Sequence, residues 1–254
     1  MTPPLISLSI VSHGDGPALR LLLESLARYE ALDQMQLLVT DNLGDDLPDV
    51  PTGGWHSRAL LRPQKPRGFA ANHNAALECA TAQYFCVLNP DVAFEQPVFR
   101  RLLDHLVGGA GHIVAPLILD ASGRIQDSFR SLPAALDILQ RRMGRASFDS
   151  TAANGGLIFP DWIAGTFMLM QASVFAHLGG FDARYRLYFE DVDLCTRARL
   201  DGLRILVDSG IRIRHDPRRA SGRIGVHLLW HARSALRFLS SDVYRRARGM
   251  DRRA

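Results

Sequence analysis

The chain has 254 residues, of which 47% are hydrophobic and 22% charged, and its formal net charge is +4. A chain of this kind can bury one large core, so it needs neither disulfide bonds nor oligomerisation to fold. The positive charge is concentrated, since fifteen arginines and five acidic residues lie from Arg197 onward. This basic C-terminal quarter can attract phosphates or an anionic membrane surface, whereas we do not expect nucleic-acid binding from it.

The cysteine content indicates a reducing compartment. The three cysteines, Cys79, Cys86 and Cys195, are odd in number and form no C-x-x-C pair. Residues 5–11 form an apolar run that is too short for a signal peptide or a membrane span, and no basic stretch precedes it. We therefore expect a cytoplasmic protein. If it attaches peripherally to a membrane, we expect the inner membrane face.

Strands and helices are predicted to alternate along the first half of the chain. Apolar runs predict buried strands at residues 5–11, 35–40, 57–61 and 84–88. The spacing of apolar and alanine positions predicts helices around residues 19–26, 72–82 and 98–106. This order predicts a parallel sheet with helices on both faces. Ligands of such sheets bind beyond the carboxyl ends of the strands, where the sequence has His13, Asp41, Asn42, Asn89 and Asp91.

The second half is predicted to be less regular. Strands are expected at residues 112–119 and 161–171, with a mobile loop at residues 141–156. Ser173 is a candidate N-cap of a short helix, and a further helix is expected at Glu190–Leu200. Two short strands are predicted next, at residues 204–207 and 211–214. A single long C-terminal helix is predicted from an apolar stripe that consists of Ile224, Leu228, Ala232, Ala235 and Leu239.

An acidic run is the strongest indication of a reactive site. Glu190, Asp191 and Asp193 fall within four positions, and burying these carboxylates is costly unless they hold a cation or take a proton. The alternative is an exposed acidic first turn that the helix dipole stabilises. On a helix Asp193 points away from Asp191, so we expect a structural role for Asp193.

Two further segments have the chemistry of a nucleotide or metal site. Asp91 follows a strand in Asn89-Pro90-Asp91, and a carboxylate there suits Mg²⁺ or Mn²⁺, with water and substrate phosphates as the other ligands. A plain Asn-Pro-Asp turn is the alternative. The glycine turn at Gly68 enters a helix and offers free backbone amides to a phosphate or a sugar hydroxyl, with a simple helix cap as the alternative.

His215 is a third candidate, because Arg218, Arg219 and Ser221 follow it closely in the sequence. A lone histidine is more often structural than a ligand. Neighbouring arginines favour an anion or metal-phosphate site.

In this order, the segments resemble family 2 glycosyltransferases, and within them the bacterial rhamnosyltransferase-like branch. The resemblance extends over residues 5–222. It is carried by Ser-Ile-Val-Ser-His at 9–13, Val-Thr-Asp-Asn at 39–42, Gly-Phe-Ala-Ala-Asn-His-Asn at 68–74, Leu-Asn-Pro-Asp at 88–91, Gly-Thr-Phe-Met at 165–168, Gly-Phe-Asp at 180–182 and Phe-Glu-Asp-Val-Asp-Leu at 189–194.

The resemblance implies a GT-A fold, an α/β architecture with a mostly parallel nucleotide-binding sheet, a smaller acceptor-side sheet and a C-terminal helix. The implied catalytic domain comprises residues 1–222. Its nucleotide-sugar half is expected at residues 1–118 and its acceptor half at 119–222. The remaining residues, 223–254, are expected to form a basic amphipathic helix.

The same resemblance implies an inverting, metal-dependent transferase in bacterial surface polysaccharide synthesis. The donor is implied to be a nucleotide sugar, with dTDP-rhamnose as the first expectation. The acceptor is implied to be a glycan or a lipid-linked molecule. Asp191 is implied to be the catalytic base with Glu190 beside it, and Asp91 and His215 to hold Mg²⁺ or Mn²⁺. The residues implied to contact the nucleotide or donor are Ser12, His13, Asp41, Asn42, Gly68, Asn72, Asn89, Arg219 and Ser221.

Two positions depart from the common family pattern. Asn89 stands where the usual D-x-D element begins with an aspartate, and His13-Gly14 stands where many members carry Tyr-Asn. The alternative functions are a glycoside or nucleotide-sugar hydrolase that uses Asp91 and Asp191, and a non-catalytic sugar-binding module. The C-terminal helix is expected to pack on the catalytic domain or on the second subunit of a homodimer, with anionic lipid as the alternative partner.

Overall fold

A computed structural model describes residues 3–44, 54–133, 155–216 and 224–251. The first half contains β1 (Ile6–Ser12), α1 (Gly16–Tyr29), a 3₁₀ turn (Leu32–Gln34), β2 (Met35–Asp41), β3 (Ser57–Leu61), α2 (Phe69–Glu78), β4 (Tyr84–Leu88), β5 (Val92–Phe94), α3 (Phe99–Val107) and β6 (Ile113–Leu119). The second half contains β7 (Phe129–Arg130), β8 (Leu157–Ile158), β9 (Trp162–Ile163), β10 (Phe167–Gln171), α4 (Ala172–His177), α5 (Glu190–Leu200), β11 (Ile205–His215), α6 (Ile224–Leu239) and α7 (Asp242–Asp251).

Nine strands form one mixed, mostly parallel sheet in the order β3-β2-β1-β4-β10-β6-β11-β5, with β8 beside β11. β1 pairs in parallel with β2 and β4, whereas β10 is antiparallel to both of its neighbours. β7 and β9 form a separate two-stranded antiparallel sheet. All residues of β1, β2 and β4 are buried because helices cover both faces, as the continuous apolar runs predicted. The predicted α/β fold is confirmed.

Several local expectations were wrong. The strand expected at residues 161–171 is two strands, β9 and β10, because the backbone leaves the ladder at Gly165 and donates to the side chain of Asp191. Ser173 is no N-cap, since it lies inside α4 and Gln171 occupies the cap position. β5 was not predicted, and α2 begins at Phe69, before the expected start.

The two short strands expected at residues 204–214 are one strand, β11, with a register shift between Asp208 and Arg212. The buried carboxylate of Asp208 accepts hydrogen bonds from the Gly210 N–H and from Arg101, which stabilises the irregular backbone. The mobile loop predicted at residues 141–156 lies outside the described residues except for its last two.

The C-terminal segment differs from the single helix that was expected. It forms two helices, α6 and α7, and Ser241 at their junction accepts a hydrogen bond from the Tyr244 N–H. Ala235 of the predicted stripe packs with Phe238 against Phe189 in a small second core, whereas Leu228 is 50% exposed. The prediction of the apolar stripe was therefore only partly right, and α6 packs on the residues around Phe189 of the same chain. Among the described residues, no helix is long and apolar enough to cross a bilayer.

Candidate active site

The candidate catalytic helix, α5, follows two residues in a left-handed backbone conformation. Tyr188 has φ 71° and Phe189 has φ 67°, values that non-glycine residues seldom adopt. Contacts with α6 hold this turn in place: the Tyr188 hydroxyl lies 3.1 Å from His227 Nδ1, and the Phe189 ring packs against His231. Strain of this kind persists where the surroundings over-determine the backbone, and it is frequent at functional sites. Here it sets the position of Glu190 and Asp191, which come directly after the turn.

Asp191 has two backbone partners that favour its ionised form. Its Oδ2 accepts the Gly165 N–H at 3.0 Å, and its Oδ1 accepts the Val192 N–H at 2.8 Å. Burial raises the pKa of Asp191, and these N–H groups partly offset the rise. The carboxylate is thus a desolvated, oriented proton acceptor, which is what a general base requires.

Glu190 lies in a different environment, although it is the adjacent residue. It is 5% exposed, and its Oε2 has no hydrogen-bond partner among the described residues. Burial raises the pKa of Glu190 well above its usual range, and the charge of Asp191 raises it further. The two N–H groups on Asp191 and the unpartnered Oε2 of Glu190 favour a proton on Glu190 and the charge on Asp191.

The alternative of an exposed acidic turn is wrong, because Glu190 and Asp193 are both buried. Asp193 Oδ2 accepts from Arg197 Nε at 2.8 Å, and Arg197 also donates to the Gly180 carbonyl. These bonds tie α5 to the preceding turn, in agreement with the structural role expected for Asp193.

Asp91, which follows β4, and His215, the last residue of β11, lie close together. Asp91 Oδ1 and His215 Nε2 lie 3.1 Å apart, yet neither atom has a partner with hydrogen-bond geometry in the described part of the chain. Gln126 fixes the ring, because its Nε2 donates to the His215 carbonyl at 2.9 Å and its Oε1 lies 2.7 Å from His215 Nδ1. Because an amide oxygen accepts, Nδ1–H donates to Gln126 Oε1, and Nε2 is the ring nitrogen that faces Asp91.

An oriented imidazole facing a carboxylate fits a divalent cation. Histidines that bind metals are commonly held through the other ring nitrogen in this way, here by Gln126. Two protein ligands, completed by water and substrate phosphates, are usual for Mg²⁺. Nowhere in the described ranges do three or more His, Cys, Asp or Glu side chains form a metal cluster.

The Glu190–Asp191 pair and the Asp91–His215 pair are joined by the residues just before β10. The Asn89 N–H donates to the Thr166 carbonyl at 3.0 Å, and Gly165, the preceding residue, donates to Asp191. His215 ends β11 and pairs with Val92, the residue after Asp91. The structure thus brings Asn89, Asp91, His215 and Asp191 to one end of the sheet.

Asn42 organises the expected nucleotide side. It bonds both backbone groups of Arg67, with Oδ1 accepting at 2.9 Å and Nδ2 donating at 3.0 Å, and its Nδ2 also donates to His13 Nε2 at 2.8 Å. His13 itself is exposed. His13 thus stays exposed while it accepts from Asn42, and Asn42 positions the glycine turn that follows Arg67.

The other expected donor contacts are more enclosed. Asp41 is 1% exposed, and its carboxylate accepts from the Gly44 N–H and from Arg62. Ser12 and Asn72 are buried as well, and Ser12 Oγ accepts the Asp15 N–H. These residues shape the strand ends. Arg219 and Ser221, also expected to contact the donor, lie outside the described residues.

Gly68 is required by close packing. A Cβ at this position would lie 2.6 Å from the carbonyl oxygen of Arg186, which also accepts the Phe69 N–H at 3.2 Å. The glycine turn therefore contacts the segment that leads into α5. This contact connects the expected donor-binding residues to the helix that carries Asp191.

The Gly68→Ala substitution is expected to destabilise the fold. Relieving the clash with backbone costs about 1–3 kcal/mol, and each kcal/mol lowers Tm by about 2–4 °C in a protein of this size. Thermal unfolding measures the effect. Gly156→Ala is the matched control, because no atom lies within 4 Å of a Cβ at Gly156. Equal Tm values for the two variants would contradict the close contact.

Sequence reasoning assigned no role to three residues that the structure places at the site. Gly165 donates to the candidate base, and a Cβ there would lie 3.0 Å from the Phe69 ring. Gln126 orients His215. Asn74 bonds both backbone groups of Phe181 and so ties α2 to the loop before α5. Gly165 and Asn74 lie in the segments that carry the family resemblance, whereas nothing in the sequence singled out Gln126.

The fold and the site together define a glycosyltransferase of the GT-A class. The chain belongs to the family described as "Glycosyltransferase like family 2", whose model matches residues 3–231. The family predicted from the sequence is confirmed.

Two curated relatives are rhamnosyltransferases. Rhamnosyltransferase WbbL of Escherichia coli (strain K12) is 26% identical over 276 residues, which cover 98% of this chain and 97% of the relative. The N-acetylglucosaminyl-diphospho-decaprenol L-rhamnosyltransferase of Mycobacterium tuberculosis (strain ATCC 25618 / H37Rv) is 27% identical over 261 residues, with 91% and 82% covered.

Solved structures share the fold at low sequence identity. S. aureus TarS 1–349 in complex with UDP-GlcNAc gives a TM-score of 0.65 at 13% identity, covering 94% of this chain and 67% of that chain. GalNAc-T7 with UDP, GalNAc and Mn²⁺ also gives 0.65 at 13%, covering 85% of this chain and only 44% of that one. These likenesses concern the fold alone.

Proposed function

We propose that the protein transfers a sugar from a nucleotide-sugar donor to an acceptor hydroxyl, with inversion at the anomeric carbon. The observation that carries the proposal is the unequal pair at the start of α5. Asp191 is held by two backbone N–H groups, whereas burial and the charge of Asp191 raise the pKa of the adjacent Glu190. Asp191 accepts the proton of the acceptor hydroxyl while the oxygen of that hydroxyl forms a bond to the anomeric carbon. The bond to the nucleotide diphosphate breaks, and its electrons leave with the diphosphate.

The proposed cofactor is Mg²⁺ or Mn²⁺, held by Asp91 and His215. When bound, the cation would stabilise negative charge on the leaving diphosphate. The unpaired, facing atoms of Asp91 and His215 support this assignment. Asn89, although it is no carboxylate, hydrogen-bonds through its backbone to the segment that holds Asp191.

A hydrolase that uses Asp91 and Asp191 as a pair is not favoured. Asp91 faces His215 rather than Asp191, and the two relatives described above are named as transferases. A sugar-binding module is not favoured either, since it has no need of a half-buried, oriented proton acceptor.

The proposed donor is dTDP-rhamnose, because the curated relatives are named as rhamnosyltransferases. The proposed acceptor is a glycan or a lipid-linked molecule. The M. tuberculosis relative is named for a diphospho-decaprenol acceptor. We propose a role in bacterial surface polysaccharide synthesis, in the cytoplasm or at the inner membrane face. Homodimerisation stays a prediction.

The donor class is tested by thermal shift with dTDP, UDP and GDP, each with and without Mn²⁺. A ligand at about 100 times its Kd stabilises the native state by about 2.7 kcal/mol, so dTDP with Mn²⁺ is expected to raise Tm by about 5–10 °C. UDP and GDP at the same concentration should give smaller shifts. Equal shifts for all three nucleotides would contradict dTDP specificity, and no shift with any of them would contradict a nucleotide donor.

A further inference from the structure

A cationic cavity lies beside α6, outside the site described above. It has a volume of about 280 Å³, below the range of about 300–1,000 Å³ that is usual for small-molecule sites. Such a volume suits one or two phosphate groups better than a whole nucleotide sugar. The lining residues are Arg184, Arg186, Trp230, Arg233, Ser234 and Arg237.

The four arginines bring more positive charge together than their neighbours neutralise. Arg184 pairs with Asp182 at 2.6 Å, and Arg186 lies over the Trp230 ring at 5.0 Å. Within the described ranges, no carboxylate pairs with Arg186, Arg233 or Arg237, and no acidic side chain lines the cavity. Guanidinium groups gathered in this way bind phosphate oxygens through paired, charge-assisted hydrogen bonds.

The cavity shares a wall with the candidate active site. Ser234 Oγ donates to the Leu187 carbonyl at 2.9 Å, which fixes α6 to the segment before α5. The Arg186 carbonyl accepts the Phe69 N–H of the glycine turn. A phosphate group in the cavity would therefore lie next to the segment that positions both the donor turn and Asp191.

The same helix presents exposed apolar side chains beside the cationic ones. Val226, Leu229 and Leu236 are 45%, 67% and 69% exposed. They lie three or four positions from Trp230 or Arg233, so they neighbour these residues on the helix surface. Arginines next to exposed aliphatic groups match a ligand with a phosphate head and an apolar tail.

We propose that this cavity binds the diphosphate group of a lipid-linked acceptor, an inference that rests on the proposed transferase function. The same phosphate chemistry occurs in phospholipid headgroups and in free pyrophosphate. The experiment therefore separates the cavity, the membrane surface and the transfer reaction.

Binding of inorganic pyrophosphate is measured by calorimetry with EDTA present, so that metal-assisted binding at the donor site does not contribute. The Arg233→Gln/Arg237→Gln variant is expected to weaken binding about tenfold or more, since two charge-assisted contacts are lost. Arg245→Gln/Arg246→Gln is the control: it removes the same charge from two exposed arginines of α7 that do not line the cavity. Arg233→Lys/Arg237→Lys keeps the charge but loses the paired geometry, and should bind pyrophosphate more weakly than the wild type and better than the glutamine variant.

Equal pyrophosphate affinity in all four proteins would overturn the proposal. So would unchanged pyrophosphate binding together with loss of flotation on phosphatidylglycerol vesicles in the Arg233→Gln/Arg237→Gln variant, because the arginines would then serve the membrane surface. In the transfer assay with a polyprenyl-diphosphate sugar, this variant should raise the KM for the acceptor about tenfold with kcat little changed. If the wild type transferred no sugar but bound pyrophosphate as expected, the proposed function would fail and the anion site would stand.

Discussion

Replacing Asp191 by asparagine is expected to lower the kcat of sugar transfer about 10²–10⁴-fold, the usual contribution of general-base catalysis. The amide keeps the size of the side chain but cannot accept the proton of the acceptor hydroxyl. Glu190→Gln should lower kcat much less, because the raised pKa of Glu190 favours its protonated form, of which glutamine is the neutral isostere. Initial rates at saturating donor and acceptor measure both effects.

Asp193→Asn is the matched control on the same helix. Its carboxylate pairs with Arg197 and holds the turn before α5, so this variant should lower Tm and leave kcat of the folded protein nearly unchanged. Donor binding, followed by the thermal shift with nucleotide, should persist in Asp191→Asn. Near-normal turnover in Asp191→Asn would remove Asp191 as the base, and equal losses in Glu190→Gln and Asp191→Asn would contradict their division of roles.

The same assignment fixes the sign of the pH dependence. Only ionised Asp191 accepts a proton, and burial raises the pKa of Asp191, so kcat should fall on acidification at a pH above the ordinary aspartate value of about 3.9. Glu190 acts on stability instead. Because the folded-state pKa of Glu190 is raised, its stabilising contribution is lost as pH rises through that pKa. Glu190→Gln should therefore reduce the loss of Tm as pH rises from the ordinary glutamate value of about 4.3 to about 8.

The parallel part of the sheet could be predicted from sequence because its strands are buried on both faces. β1, β2 and β4 read as mainly apolar runs and were placed within about a residue of their observed bounds. β5, β7, β8 and β9 have only two or three residues each, and long-range pairing rather than local pattern defines them. The local sequence therefore gives little indication of where these four strands begin and end.

The candidate site divides in the same way. Asp91 was predicted from its position after a strand, whereas His215 was predicted from the arginines that follow it and from the family resemblance. Gln126 acts through a contact across 89 residues, and Gly165 acts through its backbone N–H. Tyr188 and Phe189 adopt positive φ without being glycine. Neither a backbone donor nor a strained aromatic turn has a signature in residue type, so these features required the structure.

Removing either proposed metal ligand is expected to abolish Mn²⁺ binding in the presence of nucleotide diphosphate and to lower transfer about 100-fold or more, since the cation contributes several kcal/mol of charge stabilisation. The variants are Asp91→Asn and His215→Ala. Mn²⁺ binding is followed by its electron paramagnetic resonance signal, a readout that does not depend on activity. Unchanged Mn²⁺ affinity in both variants would contradict the assignment.

Gln126 gives the sharpest version of this test, because it is expected to act on the metal only through His215. Gln126→Leu removes the acceptor of Nδ1–H, and loss of such an orienting bond typically costs about 10–100-fold in metal affinity. Gln126→Glu keeps an acceptor and should restore most of that affinity. Asp127→Asn, the exposed neighbour that pairs with Arg130, is the control and should bind Mn²⁺ like the wild type. If Gln126→Leu also bound Mn²⁺ like the wild type, His215 Nε2 would not need the orientation seen here, and His215 would be a structural partner of Asp91 rather than a ligand.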